Sequence, residues 1–359
     1  MTAPREKPEG PEMMDEGELM DTIIDQVDAT DDSLPSEGDH HHMAMSRDRC
    51  PVSSCTAPLE PPTGKWRSCP VHGIRITSKS FVYKNPLDNI HFERDYFERA
   101  ILNNPRKAET HRFGNENSED ALTWNVFTAL ARRNQLSALS RSLLQVDTNE
   151  EPELYLWGLK VSLDGPVPND QFDALCAARK VFECGISQFL TEPDIMMYVP
   201  KRFLILIEAK FTSSNTTTKP DGNDVPDEKP KSREGILRRY SADRLPTGSL
   251  RTPTKDTPLF SQLYRNLVFA IHMAKELDVQ WGLVNLTSKH LPSKRASEKM
   301  SADLTTFADA VLPPESRQRF VPYTWEQLFR DHVEGKDDLH ELATYLRLKS
   351  ANRGKAFDI

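Results

Sequence analysis

The most sustained apolar pattern in the chain is a pair of runs, Ile195-Met196-Met197-Tyr198-Val199 and Phe203-Leu204-Ile205-Leu206-Ile207, on either side of Pro200-Lys201-Arg202. Two β-prone runs around a short turn segment predict a hairpin. The second run has no polar interruption, as expected of a central strand covered on both faces. Upstream, Ser118 is a good N-cap with Glu119 and Asp120 in the first turn; Leu122, Val126, Phe127 and Leu130 then give the helix an apolar face. Residues 154–161 read as a strand and 171–183 as a helix. Further on, the pattern predicts a helix over 259–277, a buried strand over 280–286 and a helix over 294–311. An edge strand over 319–323 follows, and Thr324 then caps a helix carrying Trp325, Leu328 and Phe329. Nearer the start, 81–83 reads as a short strand and 92–102 as a short helix ended by Asn103-Asn104-Pro105. Strands alternating with helices put the ordered part in the α/β class.

Two stretches fall outside this pattern. Residues 1–46 contain no aromatic side chain and are dominated by Pro, Glu and Asp, which predicts a disordered acidic tail. Within it, 19–24 could form a partner-binding turn, with a solvated tail as the plainer reading; His40, His41 and His42 are too few and too isolated for a metal site. Residues 212–257 are rich in Thr, Ser, Pro, Asp and Lys and predict a long flexible insertion, with 235–240 as its ordered candidate. Loops of that length inside a domain are usually functional or disordered.

Composition adjusts this picture. The chain has 359 residues, 37% hydrophobic and 28% charged, with 26 prolines against 15 glycines. A packed core and long irregular connections are both expected. No apolar run approaches the ~20 residues that span a bilayer, and the start lacks the basic-then-apolar pattern of a secretory signal. The expectation is a soluble, intracellular, cytoplasmic protein without a membrane partner. The net charge of −8 is unevenly spread: residues 1–39 hold thirteen acidic and two basic side chains, leaving 44 basic against 41 acidic for the rest. A mildly basic body permits nucleic-acid binding without demonstrating it.

The chemistry concentrates at the hairpin. Asp194 opens its first arm, and Glu208 and Lys210 lie at the end of its second. Positions two apart on a strand project from one face, and an antiparallel partner brings Asp194 beside them. Two carboxylates and an ammonium at the end of a buried strand cost several kcal/mol unless they are paired or bind a metal. Asp194 could instead cap the hairpin, with Glu208 and Lys210 as a structural ion pair.

Pro193-Asp194, thirteen intervening residues and then Glu208-Ala209-Lys210 match the signature of the PD-(D/E)XK nuclease superfamily, which this chain resembles over roughly half its length. The resemblance implies a restriction-endonuclease-like core: a mixed central sheet flanked by helices, in the order αβββαβ. It implies that Asp194 and Glu208, with the carbonyl of Ala209, hold one or two Mg²⁺ (or Mn²⁺) ions, oxygen ligands being suited to such hard cations. Lys210 would orient or help deprotonate the attacking water, or offset phosphate charge. The superfamily's helix acid maps onto Glu119, with Asp120 the less favoured choice. Gln262, in Gln262-Leu263-Tyr264-Arg265, falls where several branches place a Gln-containing motif, and with Arg265 would position water or the DNA backbone. Glu119 and Asp120 could simply complement a helix dipole, and Gln262 and Arg265 could be ordinary polar helix residues.

A separate cluster lies upstream. Cys50, Cys55, Cys69 and His72 form C-x4-C-x13-C-x2-H, two close pairs with proline-rich surroundings. Four such ligands suit tetrahedral Zn²⁺ in a structural site, and a segment poor in apolar residues gains folding energy from a metal. The alternative is ordinary thiols beside an unrelated histidine. Cys176 and Cys184 read as buried thiols without function. In the insertion, Arg238 and Arg239 are candidate phosphate contacts and Tyr240 a candidate stacking group.

These readings divide the chain into a disordered acidic tail (1–46), a zinc-binding module (47–80) and a nuclease-like domain (81–350). They point to a Mg²⁺-dependent, restriction-like DNA endonuclease, with a homodimer favoured if both strands are cut. The alternatives are a non-catalytic nucleic-acid- or protein-binding protein on a nuclease fold, or a nuclease for RNA or branched DNA.

Overall fold

In the computed structural model, residues 49–359 are described, apart from 53, 78–79, 104–111, 147, 166–170, 188–189, 219–227, 290–293 and 354–357. The expected tail over 1–46, with 19–24 and His40–His42 inside it, lies outside the described residues. A three-stranded antiparallel sheet comes first: β1 (Arg67–Ser68), β2 (Arg75–Ile76) and β3 (Phe81–Val82). It joins the rest through backbone hydrogen bonds from Tyr83 to Gly114 and from Glu116 back to Phe81. The helix expected over 92–102 is shorter and uneven, an α-helical turn at Arg94–Phe97 that widens into a π-turn at Glu98–Leu102.

The remaining elements follow as α1 (Glu119–Arg132), α2 (Leu136–Leu144), β4 (Glu153–Leu156), β5 (Leu159–Val161), α3 (Asp173–Phe182), β6 (Ile195–Val199) and β7 (Phe203–Lys210). Then come α4 (Arg233–Arg239), α5 (Ser261–Leu277), β8 (Gln280–Thr287), α6 (Lys294–Val311), β9 (Phe320–Thr324), α7 (Trp325–His332) and α8 (His340–Arg353). One mixed sheet runs β5-β4-β6-β7-β8-β9. Its first four strands are mutually antiparallel, while β7, β8 and β9 are parallel to one another. The expected edge strand is β9, and Thr324 and Gln327 form a reciprocal capping box at the start of α7.

Every residue of β7 is buried, because helices cover both faces of the sheet. Ile205, Ile207 and Ala209 face a core shared with α1, α2, α7 and α8 through Leu122, Phe127, Leu139, Trp325 and Leu346. Leu204 and Leu206 face the other core, built with α3 to α6 through Phe182, Ile236, Leu263 and Phe307. Each fully buried Leu, Ile or Phe contributes about 1.5–3 kcal/mol relative to exposure. The strand carrying Glu208 and Lys210 is thus covered on both faces. Among the described residues, no helix is long and apolar enough to cross a membrane.

The single strand expected over 154–161 is in fact a hairpin. Leu156 pairs with Leu159 across a two-residue loop, Trp157-Gly158, with φ of 51° and 80°. Two successive left-handed residues define the turn whose twist matches antiparallel strands. Gly158 is required there, since a Cβ would also sit 2.9 Å from Leu175 Cδ2. The apolar residues on both sides of the turn disguise it as one run.

Candidate active site and metal-binding cluster

The hairpin places Asp194, Glu208 and Lys210 at one end of β7. Asp194 precedes β6, and its carboxylate accepts the backbone N–H of Ala209 at 2.8 Å. Glu208 and Lys210, two apart, project from one face, and Lys210 Nζ donates to Glu208 Oε1 at 2.7 Å. Ser118 caps α1 as expected and brings Glu119 to the same point. Glu119 Oε1 lies 3.4 Å from Lys210 Nζ, and its Oε2 accepts from the N–H of Phe211 (2.9 Å) and the hydroxyl of Ser213 (2.7 Å). Asp120 accepts from the Trp157 indole at 3.1 Å. Trp157 is buried and also donates its backbone N–H to the carbonyl of Asp194.

The electrostatics of this cluster follow from its crowding. Burial pushes the Asp194 carboxyl well above the usual carboxylate range, and the charges of Glu208, Glu119 and Asp120 push the same way against Lys210. Burial acts downward on the Lys210 ammonium, but Glu208, Glu119 and Asp194 outweigh it and hold the group raised. One ammonium therefore stands among several carboxylates, the charge balance of a place suited to an added cation.

Three contributors escape a reading of the sequence. Asn266, on α5, donates to Glu208 Oε2 at 2.7 Å, so both oxygens of that carboxylate are engaged. Asn285 lies in register with Glu208 on β8 and accepts from Asn215 at 2.8 Å, with Asn285 Nδ2 and Asn215 Oδ1 left buried without partners. A lone polar residue inside the apolar run of β8 is the signal that could have found Asn285. Asn266 stands one helical turn beyond Gln262. Gln262 is half-buried, and its amide has no hydrogen-bond partner among the described residues.

None of the other candidates has a hydrogen bond or ion pair to these carboxylates among the described residues. Arg238 is exposed, while Arg239 donates to the carbonyl of Cys184 at 3.1 Å. Tyr240 is buried with its hydroxyl on Glu183 at 2.7 Å, so it has no free face to stack on a base, contrary to expectation. Arg265 is 9% exposed. Cys184 is exposed and Cys176 half-buried, which corrects the expectation of two buried thiols. Cys176 is on α3, and Cys184 lies two residues past its end.

Upstream, Cys50, Cys55, Cys69 and His72 converge, their ligand atoms all within 4.8 Å of one another. Cys50 Sγ lies 3.4 Å and Cys69 Sγ 3.5 Å from His72 Nδ1, and Cys55 Sγ lies 3.7 Å from Cys69 Sγ. Tetrahedral zinc, with bonds of about 2.3 Å to sulfur and 2.0 Å to nitrogen, requires edges of about 3.8 Å and 3.5 Å. The match holds with every cysteine a free thiol. The turn carrying Cys69 and His72 closes by hydrogen bonds from Gly73 to Cys69 and from Cys69 to Ile74. Gly73 has φ of 63°, and a Cβ there would meet Lys84 Cδ at 2.6 Å. The Cys₃His cluster can hold a metal such as zinc. The carboxylates differ: among the described residues, only the thiol and imidazole ligands are gathered in this way.

A mixed sheet flanked by helices, with acids and a lysine at the end of its most buried strand, is consistent with a restriction-endonuclease-like protein. A family model described as restriction endonuclease associating with ARP matches residues 61–349, and the chain belongs to that family. Comparison with curated proteins and with solved structures gives no match.

Proposed function

We propose that this protein hydrolyses phosphodiester bonds of DNA as a divalent-metal-dependent endonuclease of the PD-(D/E)XK kind, with Asp194, Glu208, Glu119 and Lys210 as its reacting-site residues. The observation that carries this reading is Lys210 bridging Glu208 and Glu119 beside Asp194 at the end of β7. A purely structural ion pair needs one carboxylate; here three converge from two distant segments.

The donor set fits a hard cation, being oxygen only and richer in negative charge than Lys210 balances. Asp194, Glu208 and Glu119 would hold Mg²⁺ or Mn²⁺, which when bound lowers the pKa of a coordinated water and stabilises charge on the phosphate. The backbone N–H of Ala209 fixes the Asp194 carboxylate, and Asn266 fixes that of Glu208. Lys210 is placed to orient the water or to offset charge on the phosphate. Gln262, on the same side of α5 as Asn266, is assigned to substrate or water positioning, and Arg238 and Arg239 to outer phosphate contacts. Cutting both strands calls for two cores and hence a homodimer. The Cys₃His cluster is assigned structural Zn²⁺, since four protein ligands leave no open position.

Plasmid and linear DNA incubated with wild type and with an Asp194→Ala/Lys210→Ala double variant, under Mg²⁺, Mn²⁺ or chelator, test this. Metal-dependent cleavage by wild type alone is the expected result. Folded wild type that cuts neither DNA nor RNA under any of these conditions would leave a binding protein on a nuclease scaffold. Equal cleavage by the variant would place the chemistry elsewhere.

A further inference from the structure

On the face of the sheet covered by α3 to α5, a second charged cluster takes no part in the hydrolysis just described. Arg179, 6% exposed, is fully committed: Nε and Nη2 donate to the carbonyl of Thr191, Nη1 to Gln171, and Nη2 lies 3.5 Å from Glu192. Glu183, 3% exposed, is saturated by the N–H and hydroxyl of Thr191 and by the hydroxyl of Tyr240. Two cations in the same cluster are not committed. Arg265 is nine-tenths buried, its Nε is buried without a partner, and none of its donors meets an acceptor among the described residues. Lys229, half-buried, likewise has no hydrogen-bond or ion-pair partner among them.

These two cations face each other's repulsion. Burial, then Arg265, draws the Lys229 ammonium down to about 7, with Arg179 adding to the effect and Glu183 and Glu192 opposing it. The buried Nε of Arg265 gives up its hydration with no acceptor in return. Glu183 is already used by Thr191 and Tyr240, and Glu192, 3.5 Å from Arg179, makes no hydrogen bond or ion pair to either cation among the described residues. Neither side chain has an anion in hydrogen-bonding contact among the described residues, and a planar fork beside a point charge is the donor set that grips phosphate oxygens. The location adds to this. Arg265 adjoins Asn266, the donor to Glu208, and Glu192 precedes Asp194 by two residues.

We propose that Arg265 and Lys229, backed by the field of Arg179, form a phosphate-binding pocket adjoining the carboxylate cluster, and that it takes a backbone phosphate of the nucleic-acid substrate. The pocket itself rests on the unpartnered cations; its occupant rests on the nuclease reading. Its contribution is to seat the strand so that a neighbouring phosphodiester reaches Asp194 and Glu208.

The test uses the full chain without added divalent cation, so that no cleavage enters the readout. Melting is followed with and without inorganic phosphate, and duplex DNA binding is measured across a salt series, for wild type, Arg265→Met and Lys229→Gln. Phosphate is expected to raise the melting temperature of wild type and to leave Arg265→Met unmoved, as binding to the native state alone requires. Arg265→Met, relieved of a buried cation, is expected to melt no lower than wild type when phosphate is absent. Both variants are expected to bind duplex about tenfold more weakly, with a salt slope smaller by about one. An equal phosphate shift in wild type and both variants overturns the pocket. A phosphate shift lost in the variants but duplex affinity unchanged keeps the pocket and overturns nucleic acid as its occupant, pointing to a free phosphate compound. Because binding is read on uncut duplex, a protein that cleaves nothing can still show the pocket, and an active nuclease can still lack it.

Discussion

The Cys₃His cluster and the carboxylate cluster both crowd ionisable side chains together, yet they are arranged in opposite ways. At the first, thiols and imidazole already stand at tetrahedral spacing, with two close pairs and the backbone turn at Gly73 fixing their positions. At the second, Lys210 sits among the carboxylates and engages two of them, and Asn266 takes the free oxygen of Glu208. Soft ligands on a small scaffold serve to hold that scaffold together. Hard ligands on a strand with two covered faces need no help in folding and can be kept for exchangeable chemistry. On the proposed reading, one chain separates a metal that builds from a metal that reacts.

The sharpest way to break this comparison is to remove the building metal. Elemental analysis is expected to find one zinc per chain, lost in Cys69→Ser. Structural zinc carries about 10–16 kcal/mol of binding free energy in small modules, so residues 49–83 should then become protease-sensitive. A chain that melts and digests identically with and without zinc would erase the distinction. Next in size is Lys210→Met. It leaves Glu208 buried with no opposing charge and should cost about 3–5 kcal/mol in denaturant melts without metal. Mn²⁺ should restore much of that loss in Lys210→Met and do far less for wild type. Asn266→Ala strips one donor from Glu208 and should cost about 1–3 kcal/mol while weakening metal-dependent cleavage. A variant equal to wild type in both measurements would remove Asn266 from the site.

The smallest effect concerns pH. Burial holds His91, His272 and His332 below the ordinary histidine value, so each binds its proton more readily when unfolded. The stability they contribute is complete above about pH 6.5 and declines as pH falls from there toward their folded values. Urea midpoints measured from pH 7.5 to 5.5 should fall, and the triple His→Gln variant should flatten that part of the decline.

What could be read from the sequence follows from how local each signal is. The β6–β7 hairpin, the acidic helix start and the Cys/His spacing are carried by neighbouring residues, and each appears where the pattern puts it. Glu119 was separable from Asp120 only on the resemblance; the structure gives them different partners, Lys210, Phe211 and Ser213 for Glu119 and the Trp157 indole for Asp120. The Trp157-Gly158 turn was hidden in an apolar run. Asn266, Asn215 and Arg265 gain their meaning from partners, or the lack of them, on remote segments, and no spacing reports that. Tyr240 failed for the same reason: amid arginines it looks like a stacking group until Glu183 is seen beneath it.

One contact from the far end of the fold bears on how the protein is made. Lys349, on α8, is buried against Glu116, two residues before the cap of α1, at 2.6 Å, and also donates to Asn89. The partners are 233 residues apart. At 5–20 residues per second, a ribosome delivers Lys349 roughly 12–47 s after Glu116. Throughout that interval the entry to α1 lacks its closing cation. A chain released early by a stop codon or a protease would carry Asp194, Glu208 and Lys210 complete, yet hold Glu119 on an unfastened helix. Closure of the Glu116–Lys349 pair thus waits until nearly all of the protein has emerged.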